Sequence, residues 1–308
     1  MSLIPLGILA ASGAGGGAGV AGYFAGGFEG SDVATVDKFL FADDSRSTLG
    51  TGLSNARRYL GEMSNSGVAG YATGGNDGSD VATVDKFAFP DDSRSTLGTG
   101  LSSIRRYLAG MSNQGVAGYA TGGDGGSVVS TVDKFAFPDD SRSTLGTGLS
   151  SARFTHAGMS NSGVAGYAAG GNDGSTVATV DKFAFPSDSR TTLGTGLSEA
   201  RRSLAGMSNS GVAGYVAGGY NSVSVDVVDK FAFPSDSRST LGTGLSADRR
   251  FLAGMSNSGV AGYFGGGFEG SNVSTVDKFA FPSDSRSTLG TGLSAARRSP
   301  AGFQNESV

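Results

Sequence analysis

The chain of 308 residues has no cysteine and no tryptophan, a single histidine and only seven prolines. Without cysteine there can be no disulfide and no thiolate metal site, which fits assembly in a reducing cytoplasm. The lone His156 has no His, Cys or carboxylate neighbours at zinc-ligand spacing. A catalytic histidine needs an orienting partner and a nucleophile. His156 instead stands where other units carry Leu60, Leu108, Leu204 and Leu252, so it reads as a substitution at an apolar position. No enzymatic activity, metal or cofactor is expected. Positive charge is in deficit: 23 Lys and Arg face 27 Asp and Glu, a net charge of -4, which argues against a nucleic-acid partner. No apolar run approaches the ~20 residues of a membrane span, so no membrane insertion is expected. The first 18 residues hold no Lys or Arg and lack the basic start of a secretory signal. No segment keeps a helical apolar period, so almost no helix is expected.

Glycine, in contrast, is plentiful at 54 residues, and it is periodic. The tag Gly-Val-Ala-Gly-Tyr or a near copy begins at Gly19, Gly67, Gly115, Gly163, Gly211 and Gly259, each 48 residues after the last. The same step carries Asp37 through to Asp277 and Leu49 through to Leu289 without insertion or deletion. A constant step means constant loop lengths and a near-symmetric object. In the second unit Val81–Phe89 is β-branched and aromatic and stops at Pro90, which reads as a strand. Val68–Thr73 is a second strand, stopped by Gly74-Gly75; Ser95–Leu101 is a third and Tyr107–Met111 a fourth. Four strands in a unit of this length make a propeller blade. The fold class is therefore all-β, a six-bladed β-propeller with four-stranded blades.

Several residues resemble kelch repeats. Tyr71 followed by Gly74-Gly75 matches the Tyr-x-x-Gly-Gly element, and Val84-Asp-Lys-Phe87 matches the extended strand after it. Leu97, Leu101 and Arg105 stand where kelch units place Trp, Met or Leu, and Arg. The missing Trp marks a divergent, kelch-like array over residues 19–308. The resemblance implies strands lettered A to D from the axis outward, with A at Tyr107–Met111. The first unit then lacks strand A, because Ser12–Ala18 is only Ser, Gly and Ala. The segment Arg297–Asn305 aligns with Arg249–Asn257, with Phe303 in the place of Met255. The C-terminal strand should therefore close the ring and remove an exposed edge.

Meander topology puts the A–B and C–D turns on one face and the B–C and D–A turns on the other. The first pair barely changes between units. The second pair varies, at Phe28, Glu29, Asp77, Asp124, Tyr220, Asn221, Phe268 and Glu269 among others. One face is thus uniform and the other individual, and these eight residues are the candidate ligand contacts. In the C–D turn the recurring Asp44 and Arg46 are expected to act structurally, the Asp capping local amides. The Arg is expected to pair with a carboxylate of a neighbouring blade. Asp37 and Lys38 are expected to start an inter-blade charge ladder.

Residues 1–18 lie outside the repeat, as an apolar start followed by a glycine-rich leash. An apolar peptide of this kind suits a partner surface, with Leu3, Ile4, Pro5, Leu6, Ile8 and Leu9 as the anchor. The Leu-Ile-Pro-Leu-Gly start and the Asp-Lys-Phe strands resemble structural proteins of tailed bacteriophages, notably cyanophages. The resemblance implies a virion protein assembled in the host cytoplasm and docked to other virion proteins by the arm. Its individual face would then meet host surface glycans as a fibre or spike. Capsid or tail decoration without a ligand, and a cellular kelch-type scaffold that binds protein, are the alternatives.

Overall fold

The computed structural model describes residues 20–306, so the anchor residues Leu3, Ile4, Pro5, Leu6, Ile8 and Leu9 lie outside the described residues. Within that span 24 strands, β1 to β24 in chain order, form six four-stranded antiparallel sheets set as the blades of a propeller. The second blade is typical: β4 (Gly61–Asn65), β5 (Ala69–Thr73), β6 (Val84–Ala88) and β7 (Ser93–Thr96), hydrogen-bonded in that order from the axis outward. Strand β5 is buried throughout because it is covered on both faces and reads Ala-Gly-Tyr-Ala-Thr. In β6 the Asp85 and Phe87 side is fully buried, while Lys86 and Ala88 are half-buried. Strand β7 is short, polar and mostly exposed, which blunts the outer edge.

Two boundaries differ from the sequence expectation. The outer strand spans Ser93–Thr96 and not Ser95–Leu101. After it Leu97 donates one more backbone bond to Val84, and the chain turns under the blade, where a Cβ on Gly100 would lie 2.2 Å from the Ala82 carbonyl. The innermost strand of the third blade begins at Ala109 and not at Tyr107, because Tyr107 takes a left-handed φ of 58°.

The ring closes as the repeat alignment requires. Strand β24 (Ala301–Asn305) pairs antiparallel with β1 (Ala21–Ala25), setting Ala21 opposite Asn305 and Tyr23 opposite Phe303. Blade-to-blade packing is the same at each step. The Met of one inner strand fills the space left by the glycine before the next blade's Tyr, and a Cβ on Gly118 would meet Met63 Sδ at 2.5 Å. Phe303 occupies that slot beside Gly70 at the closure. Tyr71 stacks on Phe137 of the following blade with ring centroids 5.5 Å apart, and its hydroxyl donates to Asp140 at 2.8 Å. Lys86 donates to the same Asp140 at 2.6 Å. Across the closure Tyr263 and Lys278 make the same pair of bonds to Asp44. The expected inter-blade ladder is therefore present, but its roles are redistributed. Asp44 and its counterparts receive the neighbouring Lys and Tyr, and the amide-capping Asp is the residue before it, as Asp43 caps Ser45. Arg46 leans on Asp37 of its own blade, not on a neighbour.

A second clasp was not anticipated. Arg57, Arg105, Arg153, Arg201, Arg249 and Arg297 are fully buried, and each pairs with an Asp of the next blade, such as Arg57 with Asp85 at 3.0 Å. Asp85 also accepts from the Ser54 amide at 2.8 Å and the Ser54 and Thr96 hydroxyls.

Around the axis five of the six inner strands carry a glycine at which a Cβ would strike the neighbouring strand. A Cβ on Gly206 would lie 1.9 Å from the carbonyl oxygen of Gly158. Gly206→Ala is expected to destabilise by about 2 kcal/mol, since the strands must part. Gly242→Ala, in open space, should be neutral or slightly stabilising. Chemical denaturation of the two variants checks the contrast.

Candidate functional site

On the variable face the chain steps from one blade to the next through a rosette of backbone bonds. Tyr59, Tyr107, Thr155, Ser203, Phe251 and Ser299 sit around the axis, all in the left-handed region with φ between 55° and 61°. Each donates its amide to the carbonyl of the one before, from Tyr107 N to Tyr59 O at 2.8 Å round to Tyr59 N to Ser299 O at 3.2 Å. A left-handed backbone costs a β-branched or aromatic residue about 1–2 kcal/mol, and the closed ring of bonds offsets it. Strain of this kind gathers where a surface must hold one shape.

Just outside the rosette Arg58, Arg106, Phe154, Arg202, Arg250 and Arg298 occupy equivalent positions, each bridged by backbone to a varied B–C turn. Here three of the residues picked from sequence come together. Tyr220, Phe268 and Phe28 alternate with arginines in an arc. Arg202 lies 5.4 Å and Arg250 4.8 Å from the Tyr220 ring centre. Arg250 and Arg298 flank Phe268 at 4.9 and 5.4 Å, and Arg298 and Arg58 flank Phe28 at 4.7 and 4.6 Å. Guanidinium groups stacked on rings are attracted by the ring quadrupole and held in place.

The charge around the face is uneven. Arg58 is paired with Asp32 at 3.2 Å, and Arg106 with Asp80 and Asp124 at 3.2 and 3.5 Å. Among the described residues Arg202, Arg250 and Arg298 have no carboxylate partner. Arg298 reaches Asn272 at 3.3 Å and Arg250 reaches Ser224 at 3.4 Å, both neutral side chains. A cavity of about 340 Å³ opens on this half, lined by Tyr107, Phe154, Arg202, Tyr220, Arg250 and Phe251 with Thr155 and Ser203. An arginine fork with free donors beside aromatic faces is suited to a carboxylate, sulfate or phosphate carried on a planar or apolar body.

The remaining sequence candidates fall elsewhere. Asp124 is consumed by Arg106 and by the Gly126 amide. Asp77 is bonded to Asn55, and Asn221 donates to Glu199. Glu29 and Glu269 are exposed at the rim. The acidic residues are thus rim or internal partners. The arginines that carry the site were missed because they recur like scaffold; the single change to Phe154 was the signal that their position faces the varied surface.

His156 is buried, with Nε2 2.8 Å from the Thr121 hydroxyl. Burial first, then Arg153 and Arg105, lower its pKa to about 3, so it stays neutral. Among the described residues no group of three or more His, Cys, Asp or Glu converges as a metal site. No family model matches this chain, and no curated protein matches it.

Proposed function

We propose that the protein is a non-enzymatic recognition propeller, a scaffold that holds an acidic segment of a partner protein on its variable face. The observation that carries this reading is the set Arg202, Arg250 and Arg298, stacked on aromatic rings and without carboxylate partners among the described residues. The arc runs past several blades, a length suited to an extended peptide, and its polarity is opposite to the net charge of -4 of the chain as a whole. Two features support the absence of catalysis: the only histidine is buried and held neutral, and the arginine site offers binding groups but no nucleophile paired with a base.

A short oligoglutamate peptide, followed by fluorescence anisotropy, tests the reading. Binding is expected to weaken with salt. Arg250→Ala should lower affinity at least tenfold, about 1.4 kcal/mol. Arg106→Ala, already neutralised by Asp80 and Asp124, should lower it less than threefold. No binding, or equal loss in both variants, overturns the proposal.

A second reading follows from the resemblance of the arm to phage structural proteins. Exposed Val68, Val116, Val164, Val212 and Val260 ring the uniform face, from which both ends of the described chain leave. In a virion the arm and this face would dock inward, and the cavity at Arg202 and Arg250 would meet an acidic sugar of a host surface glycan. A glycan array separates the two: retention of uronate or sialylated glycans, lost in Arg250→Ala, favours adhesion over protein scaffolding.

A further inference from the structure

On the uniform face the ring encloses a bore of about 330 Å³. Alternate residues of the six inner strands build its wall in three tiers. The outer tier is Ser66 and its counterparts, with Gln114 and Glu306; the middle tier is Ser64 and its counterparts, with Gln304. In both tiers a side-chain oxygen accepts the amide of the preceding blade, as Ser112 Oγ does from Ser64 N at 2.9 Å and Ser160 Oγ from Ser112 N at 2.8 Å. Apart from Ser258, whose hydroxyl donates to Asn209 at 3.4 Å, a serine that accepts in this way keeps its proton and one lone pair free. The deepest tier is glycine in five blades and Glu62 in the sixth.

Glu62 is the one side chain in a tier that otherwise has no room for a Cβ. It covers its neighbours: Gly110 and Gly302 are buried, while Gly158, Gly206 and Gly254 stay half-buried. Glu62 is half-buried and lines the bore, and only the Gly110 amide works against burial at its carboxyl. Among the described residues no Lys, Arg or His lines the bore. Burial pushes Glu62 up to about 8. The same cause pushes Glu306 up to about 7, although Gln304 donates to it at 3.0 Å. His156, in the apolar tier toward the variable face, is neutral and brings no compensating charge.

Two acids and, among the described residues, no cationic side chain leave the bore short of positive charge. The acids do not converge as metal ligands would. They are four residues apart along the inner strands, roughly 13 Å at about 3.3 Å per residue. That separation fits an elongated cation with charges at both ends. We propose that the bore binds a linear aliphatic polyamine, one terminal ammonium on Glu62, the other end at Glu306, and the stem along the glycine and serine tiers.

The test is calorimetric titration of the full chain with spermidine. One molecule per chain is expected, with affinity rising from pH 4.5 to pH 8 as the cation displaces the Glu62 and Glu306 protons, up to tenfold per pH unit for each proton released. The heat should depend on the buffer's ionisation enthalpy, which reports the released proton. Glu62→Gln should weaken binding at least tenfold and remove the Glu62 contribution to the proton release. Glu62→Gly, which restores the sixth glycine and so preserves the fold, should do the same. Absence of binding, unchanged binding in both variants, or saturation by potassium chloride alone overturns the proposal. Because the bore and the arginine arc open on opposite faces, Arg250→Ala should leave spermidine binding intact, so either proposal can fail without the other.

Discussion

A chain truncated after Arg298 is expected to lose its fold, eluting as aggregate with no cooperative thermal transition. The truncation removes β24, and with it the partner of β1 along Ala21–Ala25. Phe303 alone stacks on Tyr23 at 5.2 Å and on Phe87 at 5.5 Å, and it is fully buried. Phe303→Ala, the milder version, should cost about 3–5 kcal/mol. Loss of the whole strand also leaves β1, which reads Ala-Gly-Tyr-Phe-Ala, as an unpaired apolar edge, a template for association. A permutant distinguishes the strand's position from its place in the chain. If residues 299–305 are moved ahead of Val20 through a Ser-Gly turn like Ser66-Gly67, the first blade becomes a continuous meander. The permutant should regain the cooperative transition and the elution volume of the parent chain. If the truncated chain folds as well as the parent, or the permutant does not fold, the account of closure fails.

The ring was legible from sequence because its causes are local and repeated. Strand β5 was placed to within one residue, since Val68–Thr73 is bounded by Gly67 and Gly74, both of which adopt positive φ. The boundaries that slipped are set by distant contacts. Tyr107 leaves the strand because its amide must reach Tyr59, and Thr96 ends β7 with its hydroxyl turned onto Asp85. No alternation of residue types carries that information.

Departures from the repeat were the best guide to the surfaces. Phe28, Tyr220 and Phe268 stood out against Asn76, Asp124 and Asn172, and the structure brings those three aromatics to one arc. The same logic applied one strand further would have flagged Glu62, which breaks an otherwise constant glycine, and Phe154, which breaks a run of arginines. Only the change to Phe154 elsewhere in the array, and nothing within a single unit, separates the pair Arg105-Arg106. Its first member is sealed between blades and its second stacks at the surface, yet the two are adjacent and chemically identical.

That sealed member sets the other large effect. Asp133→Ala is expected to destabilise the fold by about 3–5 kcal/mol, because it strands the Arg105 guanidinium with no access to water. It also takes the acceptor from the Ser102 amide at 2.8 Å and the Thr144 hydroxyl at 2.7 Å. Burial works against the charge on Arg105 and lowers its pKa, so the pair's own net contribution is far smaller than the cost of breaking it. The double variant Asp133→Leu with Arg105→Met should therefore be more stable than Asp133→Ala in a urea titration. If the single variant loses less than about 1 kcal/mol, the clasp is not what joins the blades. The pH dependence has a definite sign. At the closure, burial raises the pKa of Asp37, but Arg297, Ser294 and Thr48 together outweigh it and hold the carboxyl below its ordinary 3.8. The folded state thus binds this proton less readily than the unfolded chain. The stabilisation is present above pH 3.8 and is lost as the pH falls through the lowered value. Acid unfolding of the parent should therefore depend on the clasp at Asp37. Asp37→Asn, already uncharged, should be less stable near neutrality and show a shallower loss in acid.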